Sequence, residues 1–237
     1  DNIRMTGGKT MHVKTEGLIS KILKSYGHGF KTIFTNVAAT LCLLGIFFRQ
    51  FETSVSSTLM TKAFEVYTSI NLSYTHLYST WTAFAILTGS FTSNFFSIFL
   101  IQMLGEDNPM TVPYVCISRH VVDIPALFLM FYVQNNFYLS IAGFFIQQIL
   151  AKGWTAPALL MLKSVVPAEV ASLSIGIFLL VVSVDYSVSI EAIQAVVGAL
   201  HLKPNHSGGE YGDVVFWFCA VPAAIAIPLF YFAGISS

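Results

Sequence analysis

The sequence predicts an all-α, polytopic membrane protein with six transmembrane helices. Of its 237 residues, 55% are hydrophobic and only 10% are charged, whereas a soluble domain carries about 25% charged residues. Six apolar runs are long enough to cross the hydrocarbon layer, which takes about 20 residues of helix. These runs are continuously apolar, and they lack the alternation of a membrane β-barrel.

The predicted spans occupy residues 31–60, 78–104, 112–133, 137–162, 168–197 and 214–235. Together they form one predicted transmembrane bundle over residues 31–237. Residues 1–30 are a polar N-terminal segment, in which apolar side chains recur at helical spacing over residues 18–30. Lys21 and Lys24 lie on the opposite face, so we expect an amphipathic helix in the headgroup region. A helix that docks onto a partner is the alternative.

Basic residues predict the orientation of the bundle. Six of the twelve Lys and Arg residues precede the first run, and basic flanks favour the cytoplasmic side. With six spans, both termini then lie on the cytoplasmic or matrix face; the sequence does not identify the membrane. Sequons at Asn71 and Asn205 fall in predicted outer loops, which agrees with this orientation. The acidic inner loop 105–109 counts against it.

Several classes of function are disfavoured. A net charge of zero offers no electrostatic basis for binding nucleic acid. The sequence contains no nucleophile elbow, zinc-protease motif or phosphate-binding loop, so we expect neither an enzyme nor a cofactor. The three cysteines lie far apart in apolar runs, which predicts buried thiols. No metal site is expected, and a loop set of His201, His206, Glu210 and Asp213 is strongly disfavoured.

Charged residues inside the apolar runs are the candidate site residues, because burying a charge in lipid costs several kcal/mol. Arg49 and Glu52 lie in the first run, Lys152 in the fourth and Asp185 in the fifth. The helical rise puts Arg49 and Asp185 at similar heights, so one expectation is that these two residues pair. For Arg49, Glu52 and Lys152 the sequence favours a functional and a structural role equally.

A second expected intramembrane ion pair is Arg119 with Asp123. The two residues are four positions apart on the third run, so their side chains share one helix face. A structural role in joining helices is the favoured interpretation of this pair. Asp123 is also the nearest candidate partner of Lys152 by height.

The order of features then allows a comparison with known membrane families. A basic amphipathic segment precedes a long first span with an embedded arginine, and the second span ends at a glycine turn. Residues 154–158 read Trp-Thr-Ala-Pro-Ala, and residues 165–169 read Val-Val-Pro-Ala-Glu. This order resembles the C-terminal six-helix half of a major facilitator superfamily transporter. The spinster-like branch is the most similar, since it carries a comparable Trp-x-x-Pro-Ala pattern.

The resemblance covers nearly the whole chain and implies a secondary transporter of a lipid-like or organic anionic solute, which moves by alternating access. It also implies that Arg49 holds an anionic headgroup, that Glu52 or Asp185 carries a coupling proton, and that Trp154 packs in the cavity. The polar cavity wall would comprise Arg49, Glu52, Lys152, Trp154 and Asp185.

Such a wall needs a partner, because in this family the substrate site lies between two halves. The partner is an N-terminal six-helix half, a second copy or another membrane subunit. Since the chain begins at Asp1 rather than at Met, we expect either a processed N-terminus or a fragment of a longer chain.

The chain also departs from the family at its inner face. Gln102 and Met103 stand where the family's loop motif carries Asp and Arg, and Val170 begins the stretch where another Arg is usual. In the family these charges form a latch that breaks and re-forms during transport. Their loss supports the alternative interpretation, a degenerate, non-transporting accessory subunit of a larger membrane complex, for example a mitochondrial one.

Overall fold

A computed structural model describes residues 8–68, 72–105, 108–133, 136–202 and 209–237. Within these ranges the regular structure is entirely helical. The α-helices are α1 (Gly8–Thr35), α2 (Val37–Thr68), α3 (Leu72–Leu104), α4 (Thr111–Leu127), α5 (Phe137–Ile146), α6 (Thr155–Val165), α7 (Ala171–Ala199) and α8 (Gly209–Ile235). Two π-helical segments, Phe128–Tyr132 and Gln147–Ala151, continue α4 and α5, and a 3-10 turn, Ala168–Val170, precedes α7.

Four stretches of the described chain are long and apolar enough to cross a membrane, and the bent pair α1–α2 adds a fifth if it is one span. The four are Tyr74–Leu104, Thr111–Tyr132, Ala168–Ala199 and Glu210–Ile235. The chain is therefore a multi-pass membrane protein, helical throughout the regular structure of its described residues, as its composition predicts. The two sequon asparagines, Asn71 and Asn205, lie outside the described residues.

The fourth apolar run is not the single helix that its length predicts. It is divided into α5, the segment Gln147–Ala151 and α6, with a break at residues 152–154. Gly153 lies so close to α3 that an added Cβ atom would meet the Ser93 carbonyl oxygen at 2.4 Å. Pro157 follows in the first turn of α6, where its missing N–H has no helical partner to lose. Close packing and proline together account for the break.

A sharp bend at Asn36 separates α1 from α2. The two helices meet at 84°, and α1 leaves Leu23, Tyr26 and Phe30 exposed. The Asn36 side chain accepts a hydrogen bond from the Ala39 N–H at 3.0 Å, which caps α2. An apolar helix face turned out of the bundle suits the headgroup region. The division predicted after residue 30 falls inside α1.

The interior has two apolar layers with a polar layer between them. α2 packs most closely against α8 and α7, and α4 packs against α8. The first apolar layer includes Ile33, Cys42, Ile46, Cys116, Trp154, Phe178 and Phe230. The second includes Val55, Phe64, Leu127, Phe144, Ile193 and Phe216. Along each of α2, α4 and α7, the charged residues of the predicted site fall between these two layers.

Candidate functional site

Arg49 lies in the polar layer of α2, at the centre of the bundle. Its side chain is fully buried, and its Nη1 forms ion pairs with both Glu52 and Asp123. The distance from Nη1 to Glu52 Oε2 is 2.6 Å, and Nη2 donates a 3.1 Å hydrogen bond to the Ala151 carbonyl oxygen. Because a guanidinium is planar and has five N–H donors, one side chain can join α2, α4 and the broken fourth run.

This geometry corrects both ion pairs that the sequence suggests. Arg49 pairs with Asp123 rather than with Asp185. Asp123 reaches Arg49 from α4, and it is therefore not the partner of Arg119, although the two share α4. Helical spacing brings Glu52 onto Arg49 within one turn of α2, but only the packing of α4 against α2 selects Asp123.

Arg119 is held by oxygen atoms of two other elements instead of by a carboxylate. Its Nη1 donates to the Leu150 carbonyl oxygen. Its Nη2 donates to the Ser93 carbonyl oxygen at 3.1 Å and to Ser97 Oγ at 2.8 Å. The guanidinium carbon lies 5.0 Å from the centre of the Phe96 ring, within the range of a cation–π contact. Arg119 thus connects α4 to α3 and to the helix break.

Glu52 has a complete set of hydrogen-bond donors around its carboxylate. Besides Arg49, Gln147 Nε2 donates to Oε1 at 3.0 Å, and Thr53 Oγ1 donates to Oε2 at 3.2 Å. Gln147 also lies 3.2 Å from Ser56 Oγ. These hydrogen bonds satisfy both oxygens of the Glu52 carboxyl group and offset part of the cost of removing it from water.

Lys152 lies at the helix break and is partly buried. It is close enough for electrostatic attraction to Glu52 and Asp123 and for repulsion from Arg49. We call Arg49, Glu52, Asp123 and Lys152 the charge cluster. Its two cations and two carboxylates are formally neutral together, which is the arrangement that a low-dielectric interior tolerates best.

Asp185 stands apart from the charge cluster. It lies on α7 and is fully buried. Neither of its carboxylate oxygens has a hydrogen-bond partner among the described residues. Asp123 also has one oxygen without such a partner, but its other oxygen binds Arg49. Asp185 is therefore in a very different environment from the other two acids.

The predicted polar wall is not an exposed face of this bundle. Arg49, Glu52 and Asp185 are fully enclosed by the chain's own helices. Trp154 is 2% exposed and packs in the first apolar layer. Only Lys152 keeps part of its surface open. The prediction assumed that these charges line a face of the bundle, whereas the helices bury them: Arg49 and Glu52 meet in an ion pair, and Asp185 stays apart.

Several contributors to the site are absent from the prediction. The pair Gln147 and Gln148 in an apolar run was a readable signal, because buried amides in membrane helices bond neighbouring helices. His120 is fully buried, with Nδ1 2.6 Å from the Cys116 carbonyl oxygen. The carbonyl groups of Leu150 and Ala151 carry no sequence signal, since every residue has one. Of the disfavoured metal set, His206 lies outside the described residues.

No family model matches the chain, and no curated protein or solved structure matches it either.

Proposed function

We propose that this chain is one six-helix half of a secondary transporter that moves a lipid-like or organic anionic solute by alternating access. The observation that carries the proposal is the charge cluster, which lies between two apolar layers and against a broken helix. Secondary transporters commonly place their sites near the membrane midplane at discontinuous helices, where freed carbonyl groups meet charges.

A purely structural role accounts poorly for the charge cluster. Replacing a buried ion pair with apolar residues of similar size is often neutral or stabilising, so helix packing alone does not require Arg49. Ionisable residues inside membranes commonly mark solute pathways and proton relays. Two π-helical segments border the cluster, Phe128–Tyr132 after α4 and Gln147–Ala151 before Lys152, and such segments are frequent at functional sites.

The two cations of the charge cluster can exchange carboxylate partners when α4 moves. Glu52 and Asp123 share Arg49 in the described state, while Lys152 lies near both acids. When α4 shifts towards the break, Lys152 takes over Asp123 and Arg49 keeps Glu52. Each carboxylate then has a cation in both states, so the transition avoids leaving a charge unpaired in the membrane.

The same geometry suggests where an anionic solute would bind. Lys152 is the member of the cluster that is not fully buried, so we place the solute's anionic head at Lys152 first. Arg49 becomes available to it only after Asp123 has moved away. The proposal also needs a second six-helix half, from the same polypeptide or from a second copy, and it puts both termini on the cytoplasmic or matrix face.

A non-transporting accessory subunit is the second candidate. The observation that favours it is that Arg49, Glu52 and Asp185 are buried inside this bundle instead of facing a partner half. In addition, α3 turns large apolar side chains outwards, and Leu87 and Phe91 are each 77% exposed. Such a face fits lipid or the helices of neighbouring subunits.

The test is uptake by the natively extracted protein in lipid vesicles, with a fluorescent lysophosphatidic acid as the probe. We expect saturable uptake, an increased half-saturation concentration for Lys152→Gln, and no such change for the exposed control Lys163→Gln. Native and denaturing gels of the same preparation identify the assembly. Absence of uptake from a chain that migrates only within a much larger complex would establish the accessory subunit instead.

A further inference from the structure

Asp185 is a buried titratable group that lies outside the charge cluster. It lies on α7 between Phe178 of the first apolar layer and Ile193 of the second, so it shares the height of the cluster. Its side chain has no exposed surface. No N–H or O–H group of the described chain donates to either carboxylate oxygen.

No charged group of the described ranges compensates for this isolation. The elements packed most closely against α7 are α2, α6, α1 and the 3-10 turn. Their titratable groups with described surroundings are Lys24, Tyr26, His28, Lys31, Cys42, Arg49, Glu52, Lys62, Glu65, Lys163 and Glu169. None of these groups, and no other charged group of the described residues, interacts with the Asp185 carboxyl group.

An ionised carboxylate in such a place is very costly, because an isolated charge in an apolar medium loses its solvation without gaining a partner. Proteins respond by neutralising the group. A carboxylic acid also needs only one acceptor for its proton, which is a smaller demand than the several donors required by a carboxylate. The surroundings of Asp185 in the described state therefore favour its neutral form over its charged form.

We propose that Asp185 is a proton-binding site: it holds a proton in the described state and releases it in a state that opens this part of α7 to water. The coupling role of this proton rests on the proposed transporter function, but the occupancy of Asp185 by a proton does not. On this assignment Asp185, rather than Glu52, carries the proton that accompanies the solute.

Glu52 is the matched comparison within the same chain. Both acids are fully buried and lie in the polar layer. Glu52 accepts hydrogen bonds from Arg49, Gln147 and Thr53, whereas Asp185 accepts none from the described chain. The two carboxyl groups are equally buried and differ in their hydrogen bonds. Comparing them therefore tests directly which of the two holds a proton.

The test uses dicyclohexylcarbodiimide, an apolar reagent that adds to protonated carboxyl groups to form a stable acylurea. The reaction is an addition, so the carboxyl proton and the whole reagent are retained in the product. The intact protein in lipid vesicles is labelled at neutral pH, and the modified peptides are assigned by mass spectrometry. We expect label at Asp185 and none at Glu52, with labelling of Asp185 unchanged in Glu52→Gln.

Infrared spectroscopy provides a second readout that needs no reagent to reach the site. A protonated carboxylic acid has its own C=O stretching band, and we expect one such band at neutral pH that is missing from Asp185→Asn and present in Glu52→Gln. Absence of both the label and the band at neutral pH would overturn the proposal, and so would label at Glu52 in place of Asp185.

A transport assay then distinguishes failure of this inference from failure of the proposed function. With a working wild-type protein, we expect Asp185→Asn to abolish accumulation of the lysophosphatidic acid probe driven by a pH gradient while downhill exchange continues. Accumulation at the wild-type level in Asp185→Asn would refute the coupling role. A wild-type protein that takes up nothing, with Asp185 still labelled, would refute the transporter and leave the proton site intact.

Discussion

At the residue scale, the central feature is that Arg49 serves two acids on different helices. One nitrogen contacts both Glu52 and Asp123, and the other contacts a carbonyl group at the helix break. Without the arginine, two buried carboxylates would face each other in a low-dielectric layer. Replacing Arg49 should therefore destabilise the fold more than replacing either acid. Without one acid, Arg49 still has the other as its partner, whereas without Arg49 both acids lose theirs.

Arg49→Met is expected to destabilise the fold by about 3–5 kcal/mol, which is the usual cost of removing one partner from a buried ion pair. The midpoint of thermal unfolding in detergent measures this. Glu52→Gln should cost less, because Arg49 retains Asp123. The exposed Lys31→Met serves as the control, and equal midpoints for Arg49→Met and Lys31→Met would contradict the buried pairing.

Arg119 leads to a separate prediction, since its partners are neutral oxygens. Arg119→Lys replaces a forked donor with a single ammonium group, which cannot reach the oxygens of Leu150, Ser93 and Ser97 together. A hydrogen bond to a charged group contributes about 1.5–3 kcal/mol. We expect Arg119→Lys to lower the unfolding midpoint more than Ser97→Ala does. The opposite order would show that Arg119 is not shared between α3 and the break.

At the element scale, the broken fourth run is the feature that organises the site. Its freed carbonyl groups accept from Arg49 and Arg119, and the Gly153 carbonyl oxygen accepts from Ser97 Oγ at 2.7 Å. Apolar length predicted a single span here, because hydropathy does not register a helix that stops for close packing. Gly153 and Pro157 are visible in the sequence, but only the contact of Gly153 with α3 shows that the break is required.

Gly153→Ala and Gly89→Ala are expected to separate α3 from the break. Added Cβ atoms would lie 2.4 Å from the Ser93 carbonyl oxygen and 2.8 Å from the Gln148 carbonyl oxygen, respectively. Overpacking of this kind typically costs about 1–3 kcal/mol. Gly176→Ala on α7 meets nothing within 4 Å, so it is the control and should be neutral or slightly stabilising. Equal unfolding midpoints for all three variants would contradict the close approach of α3.

At the scale of the whole molecule, the polar layer between two apolar layers explains which predictions succeeded. Helicity and membrane embedding follow from composition and from the apolar runs, so the sequence predicts them well. The charged residues Arg49, Glu52 and Asp185 were also recognisable, since each interrupts an apolar run. The pairing of Arg49 with Asp123 and the isolation of Asp185 were not, because they depend on how α2, α4 and α7 are rotated about their own axes, which local periodicity does not determine.

Cysteine labelling tests whether the broken run crosses the membrane. The native Cys42, Cys116 and Cys219 are fully buried, so we expect little background from a membrane-impermeant maleimide. Asn136→Cys and Pro167→Cys place thiols at exposed positions at the two ends of the run. If the run is one crossing, each should react from a different side of sealed vesicles. Reaction of both from the same side would mean a re-entrant segment and an odd number of spans.

The central claim is that the charge cluster takes part in transport and does more than join helices. The most direct measurement is lysophosphatidic acid uptake by the R49M/E52Q/D123N/K152M variant beside wild type. Removing both cations and both acids of the charge cluster leaves none of its charges unpaired, so the variant should fold with an unfolding midpoint near that of wild type. We expect its uptake to be lost. Uptake at the wild-type rate in this variant would contradict the claim and reduce the cluster to a structural element.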